Sequence, residues 1–283
     1  MTDSMEHSTT HSADGLPRFD RDGRVATIRL TQPTKRNALD AASLRALESC
    51  LHEARGAVDR RACDCVLLRG DGAVFCAGFD LATCAEEPRR VEELLTGLAA
   101  CVQAIRAIDA PVVARVQGAA LAGGCALAVA CDFLVAADDA QLGYPVHRIG
   151  ISPAVSIPAL LSRMGPAARA VLVSNELLDG RTALARGLAT HAVPADALDA
   201  EIDALVARLL AKGPEAMRAT KRLIRSIEER GSGEIGPAPG LDAQAGARTR
   251  DASVALGGQD EFATMLRAFW AAKSAERPAG KAR

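Results

Sequence analysis

Two glycine-bearing loops are the segments of this sequence whose residue types could do chemistry. The first covers residues 75–80 (FCAGFD) and the second covers residues 117–125 (QGAALAGGC), and each follows a short apolar run that is typical of a strand. Small residues allow close approach to the backbone, and the first amides of a helix have no partner within it. Such amides can stabilise a developing oxyanion. Taken singly, each glycine pair is more often a packing device at a turn.

Other familiar chemistries find no support at these loops. Neither loop contains the nucleotide-binding patterns GxGxxG or GxxxxGK[ST], and neither contains the serine-hydrolase pattern GxSxG. The 8 cysteines of the chain have no CxxC spacing, which disfavours both a zinc site and a disulfide framework. A nucleotide-dependent oxidoreductase is therefore the least favoured class of enzyme for this chain.

The elements around the loops follow an alternating pattern. Asp22-Gly23 predicts a tight hairpin turn, and Asp40 is placed to cap a helix over residues 41–55. The alternation of short apolar runs with helical periodicity indicates an α/β core with crossover connections. We predict strands at 65–68, 111–116 and 133–136, helices at 91–108 and 123–130, and a mainly helical region after residue 156 with helices at 195–212, 214–229 and 261–273. A Gly/Pro linker is expected at 231–240.

The composition of the chain limits the classes of partner that it could bind. The 283 residues carry a net charge of −1, so no global positive field would attract nucleic acid or anionic lipid. The longest apolar stretch, 116–131, is shorter than the roughly 20 residues that cross a bilayer. The first 15 residues lack the apolar run of a secretion signal. We expect no nucleic-acid partner, no membrane partner, and a cytoplasmic protein with reduced thiols.

Several motifs in order resemble one known family. The segments KRNAL at 35–39, FCAGFDL at 75–81 and APVVARVQGAALAGGCALAVACDFLVAADDAQLGYP at 110–145 are similar to the enoyl-CoA hydratase/isomerase family, also called the crotonase superfamily, and the similarity runs from about Phe19 to Trp270. The resemblance implies an α/β fold of the crotonase type, a ββα spiral core with a helical C-terminal layer. It also implies acyl-CoA thioester substrates, no cofactor beyond the coenzyme A of the substrate, and a homotrimer or dimer of trimers.

The same resemblance implies a division of the chain. It suggests a disordered N-terminal tail at 1–16, the spiral core with the acyl-CoA site at 17–195, a helical C-terminal and trimerisation region at 196–275, and a flexible tail at 276–283. A loop at 84–88 that contains Glu86 and Glu87 follows the first glycine loop and is a candidate lid.

Site residues are implied position by position. The two oxyanion amides fall on Phe79 and Gly123. For Arg36, a phosphate contact and a solvated surface position are equally open, and for Asp80 a structural role in its loop is favoured. The residues implied in binding substrate or coenzyme A are Arg36, Ala38, Ala77, Gly78, Asp80, Leu81 and Gly124.

The departures from the family pattern concern its proton-transferring carboxylates. Hydratases of the family place one glutamate in the helix after the glycines and another twenty residues later, and those positions here are Ala126 and Val146. A third position, where related isomerases and a dehalogenase place an aspartate, is Ala154. General acid–base help is worth about 10²–10⁴-fold per positioned group. Ordinary hydration is therefore doubtful, whereas the oxyanion hole is retained.

Two nearby side chains are candidate proton donors. Tyr144 is the only tyrosine of the chain, and its hydroxyl could donate to a substrate, although a half-buried core tyrosine is the commoner case. His147 is the second candidate, because an imidazole can act as an acid or a base near neutral pH, but a surface or core histidine is again commoner. Ser152 precedes a proline and more often shapes a turn, and Cys125 is expected to be a small core residue.

The sequence leaves two functions open. One is an enzyme that stabilises a thioester enolate and isomerises a double bond or decarboxylates a malonyl-type thioester, because loss of carbon dioxide requires no base. The other is a non-catalytic homologue that binds coenzyme A thioesters and has lost the chemistry.

Overall fold

An antiparallel hairpin opens the fold, as Asp22-Gly23 predicts. In the computed structural model, which describes residues 15–81 and 90–231 together with residues 264, 267, 268 and 271, strand β1 (Arg18–Asp22) pairs with β2 (Val25–Leu30). Gly23 takes the positive φ of 51° that the tight turn requires. Val25 lies opposite Asp22 across this turn, so the register is fixed at the start of the sheet.

The hairpin is the edge of a six-stranded sheet in the order β1-β2-β3-β4-β6-β9, in which all pairs after the first are parallel. A second sheet of three short strands has the order β5-β7-β8. The remaining strands are β3 Cys65–Gly70, β4 Val112–Val116, β5 Ala119–Leu121, β6 Phe133–Ala137, β7 Gln141–Gly143, β8 Leu177–Leu178 and β9 His191–Val193.

Helices connect the parallel strands as crossovers. Asp40 caps the first of them, because its carboxylate accepts from the Ser43 amide at 2.7 Å while the Ser43 hydroxyl accepts from the Asp40 amide at 2.8 Å. Helices α1 and α2 pack against each other, and their apolar faces are buried. The helices of this part are α1 Ala41–Asp59, α2 Arg90–Ala107, α3 Gly123–Ala130, α4 Ile157–Met164, α5 Ala168–Ser174, α6 Gly180–Ala185 and α7 Leu198–Leu210.

The predicted elements up to residue 136 agree with the structure within a few residues, and the helix at 123–130 agrees at both ends. The four short strands β5, β7, β8 and β9 were not predicted. Each has two or three residues, which is too few to show an alternating pattern in sequence. Pairing with a distant segment, rather than local propensity, makes them strands.

The chain divides into two compact units, Met1–Leu209 and Leu210–Arg283. The described part of the second unit consists mainly of helix α8, Pro214–Gly231, close to the predicted 214–229. The expected division at 195 and 196 lies just before α7 and stays a prediction. Of the helix predicted at 261–273, residues 264, 267, 268 and 271 are helical.

Some predicted segments lie outside the described residues: tail residues 1–14, the candidate lid at 84–88 with its two glutamates, linker residues 232–240, and the C-terminal tail at 276–283. Across the described ranges, none of the helices is both long and apolar enough to span a bilayer.

Candidate active site

The two glycine loops leave neighbouring strands at the same edge of the sheet. Residues 71–81 follow β3 and residues 117–122 follow β4, and these strands are parallel partners with Arg69 opposite Arg115. Beyond the strands the loops remain paired, because the Cys76 amide donates to the Ala119 carbonyl and the Leu121 amide donates to the Cys76 carbonyl, both at 3.0 Å. The loops that the sequence singled out therefore form one structure.

Glycine is needed here for contact between the loops. Gly78 has a positive φ of 95°, and a Cβ on it would lie 2.9 Å from the Leu121 carbonyl oxygen and 3.7 Å from the Gly123 nitrogen. A Cβ on Gly124 would lie 2.4 Å from the Cys76 carbonyl oxygen. The distances of 2.9 and 2.4 Å to the carbonyl oxygens are shorter than a Cβ atom tolerates. The sequence reasoning assigned the small residues to approach by a ligand, and the structure shows that they first allow the loops to approach each other.

The Phe79 and Gly123 amides have no acceptor among the described residues. Leu39 bridges Phe79 in parallel fashion, donating to the Gly78 carbonyl at 2.7 Å and accepting from the Asp80 amide at 2.9 Å. This pattern turns the Phe79 amide away from Leu39. Gly123 is the first residue of α3, so its amide has no partner within the helix. Two free donors thus come from loops that are in contact.

Both residues line one cavity of about 160 Å³. Its wall is mainly aliphatic, with Leu95 and Leu98 from α2, Leu121 from the second loop, and Val146 and Ile151 from the segment after β7. No acidic or basic side chain occurs among the described residues that line it. An interior of this kind strengthens the electrostatic effect of any donor that faces it.

The three vacated carboxylate positions differ in their placement. Val146 lines the cavity and is buried, while Ala126 is buried in α3 outside the lining. Ala154 is exposed, in a 3-10 turn that spans Ala154–Ser156. None of the three side chains can move a proton.

Tyr144 is the buried polar group of the cavity wall. Its side chain is 1% exposed, and its hydroxyl has no hydrogen-bond partner within the described part of the chain. Burial raises the pKa of the phenol well above its usual value, the neighbouring Cys125 side chain raises it further, and the Ser156 hydroxyl lowers it. The phenol is therefore protonated at neutral pH and can act as a donor.

His147 lies elsewhere. Its side chain is exposed and does not line the cavity, and its backbone amide lies 3.4 Å from the side-chain oxygen of Asn175. Of the two candidate proton donors, the structure brings only Tyr144 to the residues that carry the free amides.

The residues implied in binding coenzyme A lie mainly in the first glycine loop and in the segment after β2. Ala77 and Leu81 line the cavity, whereas Arg36 is exposed with a positive φ of 56°. Asp80 pairs with Lys35 at 3.1 Å. Ala38, two residues after Arg36, is half-buried. The exposed Arg36 fits either of the two roles left open for it.

Sequence reasoning missed Asn37 as a structural residue of the site. It is buried, its side-chain oxygen accepts from the Gln32 amide at 2.9 Å, and its side-chain nitrogen donates to the Val74 and Phe75 carbonyls at 2.8 and 3.1 Å. It thereby fixes the loop after β2 to the loop after β3. Its positive φ of 53° is tolerated best by Asn, Asp and Gly, which is the signal that could have identified it.

Arg163 is a second missed residue, and it acts at the other end of α3. Its guanidinium donates to the carbonyls of Val129 and Cys131, where α3 ends, and to Leu188. Burial lowers the pKa of this group. A cation at a helix C-terminus complements the helix dipole, so Arg163 stabilises the helix whose first residue is Gly123.

Cys125 agrees with its expected role as a core residue. Its side chain is fully buried in the first turn of α3, and burial raises the pKa of the thiol to about 11. Burial therefore outweighs the position near a helix N-terminus, which by itself would favour the thiolate.

Comparison with known proteins gives a consistent result. Residues 20–232 match the family model described as enoyl-CoA hydratase/isomerase. A 2,3-dehydroadipyl-CoA hydratase of Escherichia coli is 32% identical over 213 residues, covering 74% of this chain and 81% of that protein. A crotonyl-CoA hydratase of Syntrophomonas wolfei is 30% identical over 210 residues, covering 72% and 78%.

Solved structures extend the similarity to the backbone. The crystal structure of an enoyl-CoA hydratase of Mycobacterium smegmatis superposes with a TM-score of 0.79 at 31% identity, covering 93% of this chain and 98% of that one. Pseudomonas aeruginosa AtuE superposes with a TM-score of 0.76 at 30% identity, covering 89% and 95%.

Proposed function

The chain belongs to the enoyl-CoA hydratase/isomerase family and has the crotonase-type fold, and from that premise we propose that Phe79 and Gly123 hold the thioester oxygen of an acyl-CoA. The observation that carries this proposal is the pair of free amides on two contacting loops that line one cavity. The loops around Arg36 and residues 77–81 are placed in sequence to receive the coenzyme A portion. A homotrimer or dimer of trimers, without a separate cofactor, stays a prediction.

Two amide donors suit a reaction that passes through a thioester enolate. As charge develops on the thioester oxygen, each donor strengthens its hydrogen bond, and removal of one such donor typically costs 10²–10³-fold in rate. The wall is mainly aliphatic, and an apolar surrounding of low dielectric increases this effect. The amides therefore lower the barrier to any step that moves electrons onto the thioester oxygen.

The wall of the cavity disfavours hydration. The usual reaction uses two carboxylates to activate water and to protonate C2, and Ala126 and Val146 provide neither. Isomerisation also needs a base at C2, and Tyr144 is not available as that base at neutral pH, because burial raises the pKa of its phenol and keeps it protonated. The phenol carries a proton at neutral pH, so proton donation is the role left to this side chain.

Decarboxylation of a malonyl-type thioester fits this set of groups best. The bond between C2 and the carboxylate breaks, carbon dioxide leaves, and the electron pair forms the enolate at the amides of Phe79 and Gly123. Tyr144 then transfers its proton to C2, and the phenolate regains a proton from water. Double-bond isomerisation is the second candidate reaction, because it uses the same enolate.

Turnover of three thioesters tests the proposal. The purified protein is incubated with methylmalonyl-CoA, 3-hexenoyl-CoA and crotonyl-CoA, and products are followed by mass spectrometry. We expect propionyl-CoA from the first, with the rate lowered about 10²-fold or more in Tyr144→Phe. A loss in His147→Ala instead would transfer the role of donor to His147. His52→Ala, an exposed histidine of α1, is the matched control.

The results also separate enzyme from binder. Rapid hydration of crotonyl-CoA without decarboxylation would overturn the proposed reaction. Tight binding of all three thioesters without turnover would establish the non-catalytic homologue, which the absence of charged groups from the described cavity wall favours. Absence of both binding and turnover would refute the acyl-CoA site itself.

A further inference from the structure

The Tyr144 hydroxyl is a donor without an acceptor. Four buried side-chain atoms of the described residues lack a hydrogen-bond partner, and of their residues only Tyr144 lines the cavity. Removing a hydroxyl from water without replacing its hydrogen bonds is unfavourable. A fold that keeps such a group in an otherwise aliphatic wall leaves it available to a ligand.

Tyr144 follows a strand that is hydrogen-bonded to the residue before Gly123. Gly143 accepts from the Ala122 amide at 2.8 Å, so the backbone of Tyr144 leaves β7 directly beside the residue that precedes Gly123. The ring then reaches the neighbourhood of Cys125, two residues after Gly123 in α3. Tyr144 and Gly123 also line the same cavity, so the phenol and the proposed thioester site share one space.

Ser156, which follows Tyr144 by twelve residues, provides a second hydroxyl in the cavity wall. It is 3% exposed, lines the same cavity, and its amide donates to the Pro153 carbonyl at 2.9 Å. Ser156 is close enough to Tyr144 to affect the pKa of the phenol. The cavity thus has one polar corner, formed by two neutral hydroxyls, which we call the hydroxyl corner (Tyr144 and Ser156).

The ligand of this corner must be a hydrogen-bond acceptor. The phenol stays protonated at neutral pH, so it donates, and the serine hydroxyl can donate in parallel. An oxygen with two free lone pairs accepts from both, and a carbonyl-type oxygen is such a group. An alkyl or enoyl chain would offer the Tyr144 hydroxyl no acceptor.

We propose that the hydroxyl corner binds an oxygen on C3 of the acyl group, so that the protein prefers thioesters with a ketone or a carboxylate at C3 over plain alkyl thioesters. The inference rests on the proposed function, because the thioester oxygen must lie at Phe79 and Gly123 for C3 to reach the corner. Both groups place an acceptor oxygen at the same distance from the thioester. The carboxylate is the group that decarboxylation would remove.

Two matched pairs of thioesters test the inference by isothermal titration calorimetry. 3-Oxohexanoyl-CoA is compared with hexanoyl-CoA for the ketone, and malonyl-CoA is compared with butyryl-CoA for the carboxylate, with product analysis of the cell contents to detect turnover. We expect about tenfold tighter binding of at least one oxygen-bearing member, from two added hydrogen bonds. A preference confined to one pair identifies which oxygen the corner takes.

Substitutions locate the preference. Tyr144→Phe keeps the ring and removes one donor, and Ser156→Ala removes the other, so each should reduce the preference to about threefold or less while the alkyl thioesters bind as before. Ser162→Ala, at an exposed serine of α4, is the matched control. Thermal unfolding of every variant shows that it is folded, and the serine variant keeps the test valid if the tyrosine variant does not fold.

The outcomes distinguish the two proposals. Equal binding within both pairs, or a preference that persists in both variants, would overturn the hydroxyl corner and leave the acyl-CoA site intact. A persisting preference would point to enolisation at the oxyanion amides as its cause. Failure of all four thioesters to bind would refute the proposed function instead.

Discussion

Ala122 has a backbone conformation that strongly favours glycine, and replacing it with glycine should stabilise the protein. Its φ of 49° and ψ of −112° are close to those of the first central residue of a type II′ turn, a position dominated by glycine. The conformation is imposed from both sides, because its amide donates to Gly143 at 2.8 Å and its carbonyl accepts from Ala126 at 2.9 Å. Strain is therefore stored in the residue directly before Gly123.

The magnitude follows from three opposing contributions. A non-glycine residue held in such a region costs about 1–3 kcal/mol. Glycine loses part of that gain, about 0.4–1 kcal/mol, because the unfolded chain becomes more flexible. Loss of a half-buried methyl group removes up to about 0.8 kcal/mol. For Ala122→Gly we expect a net stabilisation of about 1 kcal/mol, or about 2–4 °C in Tm for a unit of this size.

Differential scanning calorimetry of Ala122→Gly measures this shift, and Ala128→Gly is the control. Ala128 is a fully buried residue of the same helix with ordinary helical geometry, so its replacement loses helix propensity and a methyl contact and should lower Tm. Opposite signs for the two variants are the expected result. A fall in Tm for Ala122→Gly as large as that for Ala128→Gly would show that no strain is stored at Ala122.

Three further predictions concern the packing and the charges around the site. Gly124→Ala should cost more than about 3 kcal/mol in chemical denaturation, because the new Cβ would lie 2.4 Å from the Cys76 carbonyl oxygen; a loss below about 1 kcal/mol would contradict the close loop contact. The hydrogen-bonded Arg115 holds the pKa of Asp199 below its usual value, so its stabilisation is present above the unfolded pKa of about 3.9 and fades as pH falls through the lower folded value. The Tm difference between the wild type and Asp199→Asn should therefore shrink below about pH 4, and a difference that grows there would contradict this sign. Burial raises the pKa of Cys125 to about 11 and of Cys76 to about 12, so peptide mass spectrometry should find both thiols unlabelled by iodoacetamide at about pH 8 until unfolding; labelling of the native protein would contradict their burial.

The long elements could be predicted because their signals are local. Asp40 lies at a capping position before an apolar periodicity, and the α1 that results is capped as expected. The second sheet has no such signal. Ala119–Leu121 is a strand because it pairs with Gln141–Gly143. A run of three residues is too short for its sequence pattern to predict pairing with a segment about twenty residues away.

The candidate site likewise has a part that the sequence predicts, the backbone amides, and a part that depends on contacts between distant segments, the side chains. Phe79 and Gly123 could be proposed because motifs in order identify a family whose geometry depends on the backbone, and backbone geometry survives changes of side chain. The motifs do not identify the side chains that now occupy the site, since each depends on contacts between distant segments. Tyr144 is set apart from His147 by burial alone, although three positions separate them in sequence.

The burial of Ser156 in the cavity wall could not be predicted from the sequence. Its neighbours in sequence give no signal of a role in the cavity, whereas Ser152, for which the following proline predicts a turn, also lines the cavity. Ser156 is buried at the end of the 3-10 turn Ala154–Ser156, whereas Ser152 is exposed in the segment before that turn. A family likeness can therefore indicate which carboxylates are missing, whereas the groups that replace them emerge only from the packing of the cavity wall. For this chain we propose that those groups are the hydroxyls of Tyr144 and Ser156, whose neutral donors favour binding an acceptor oxygen over activating water.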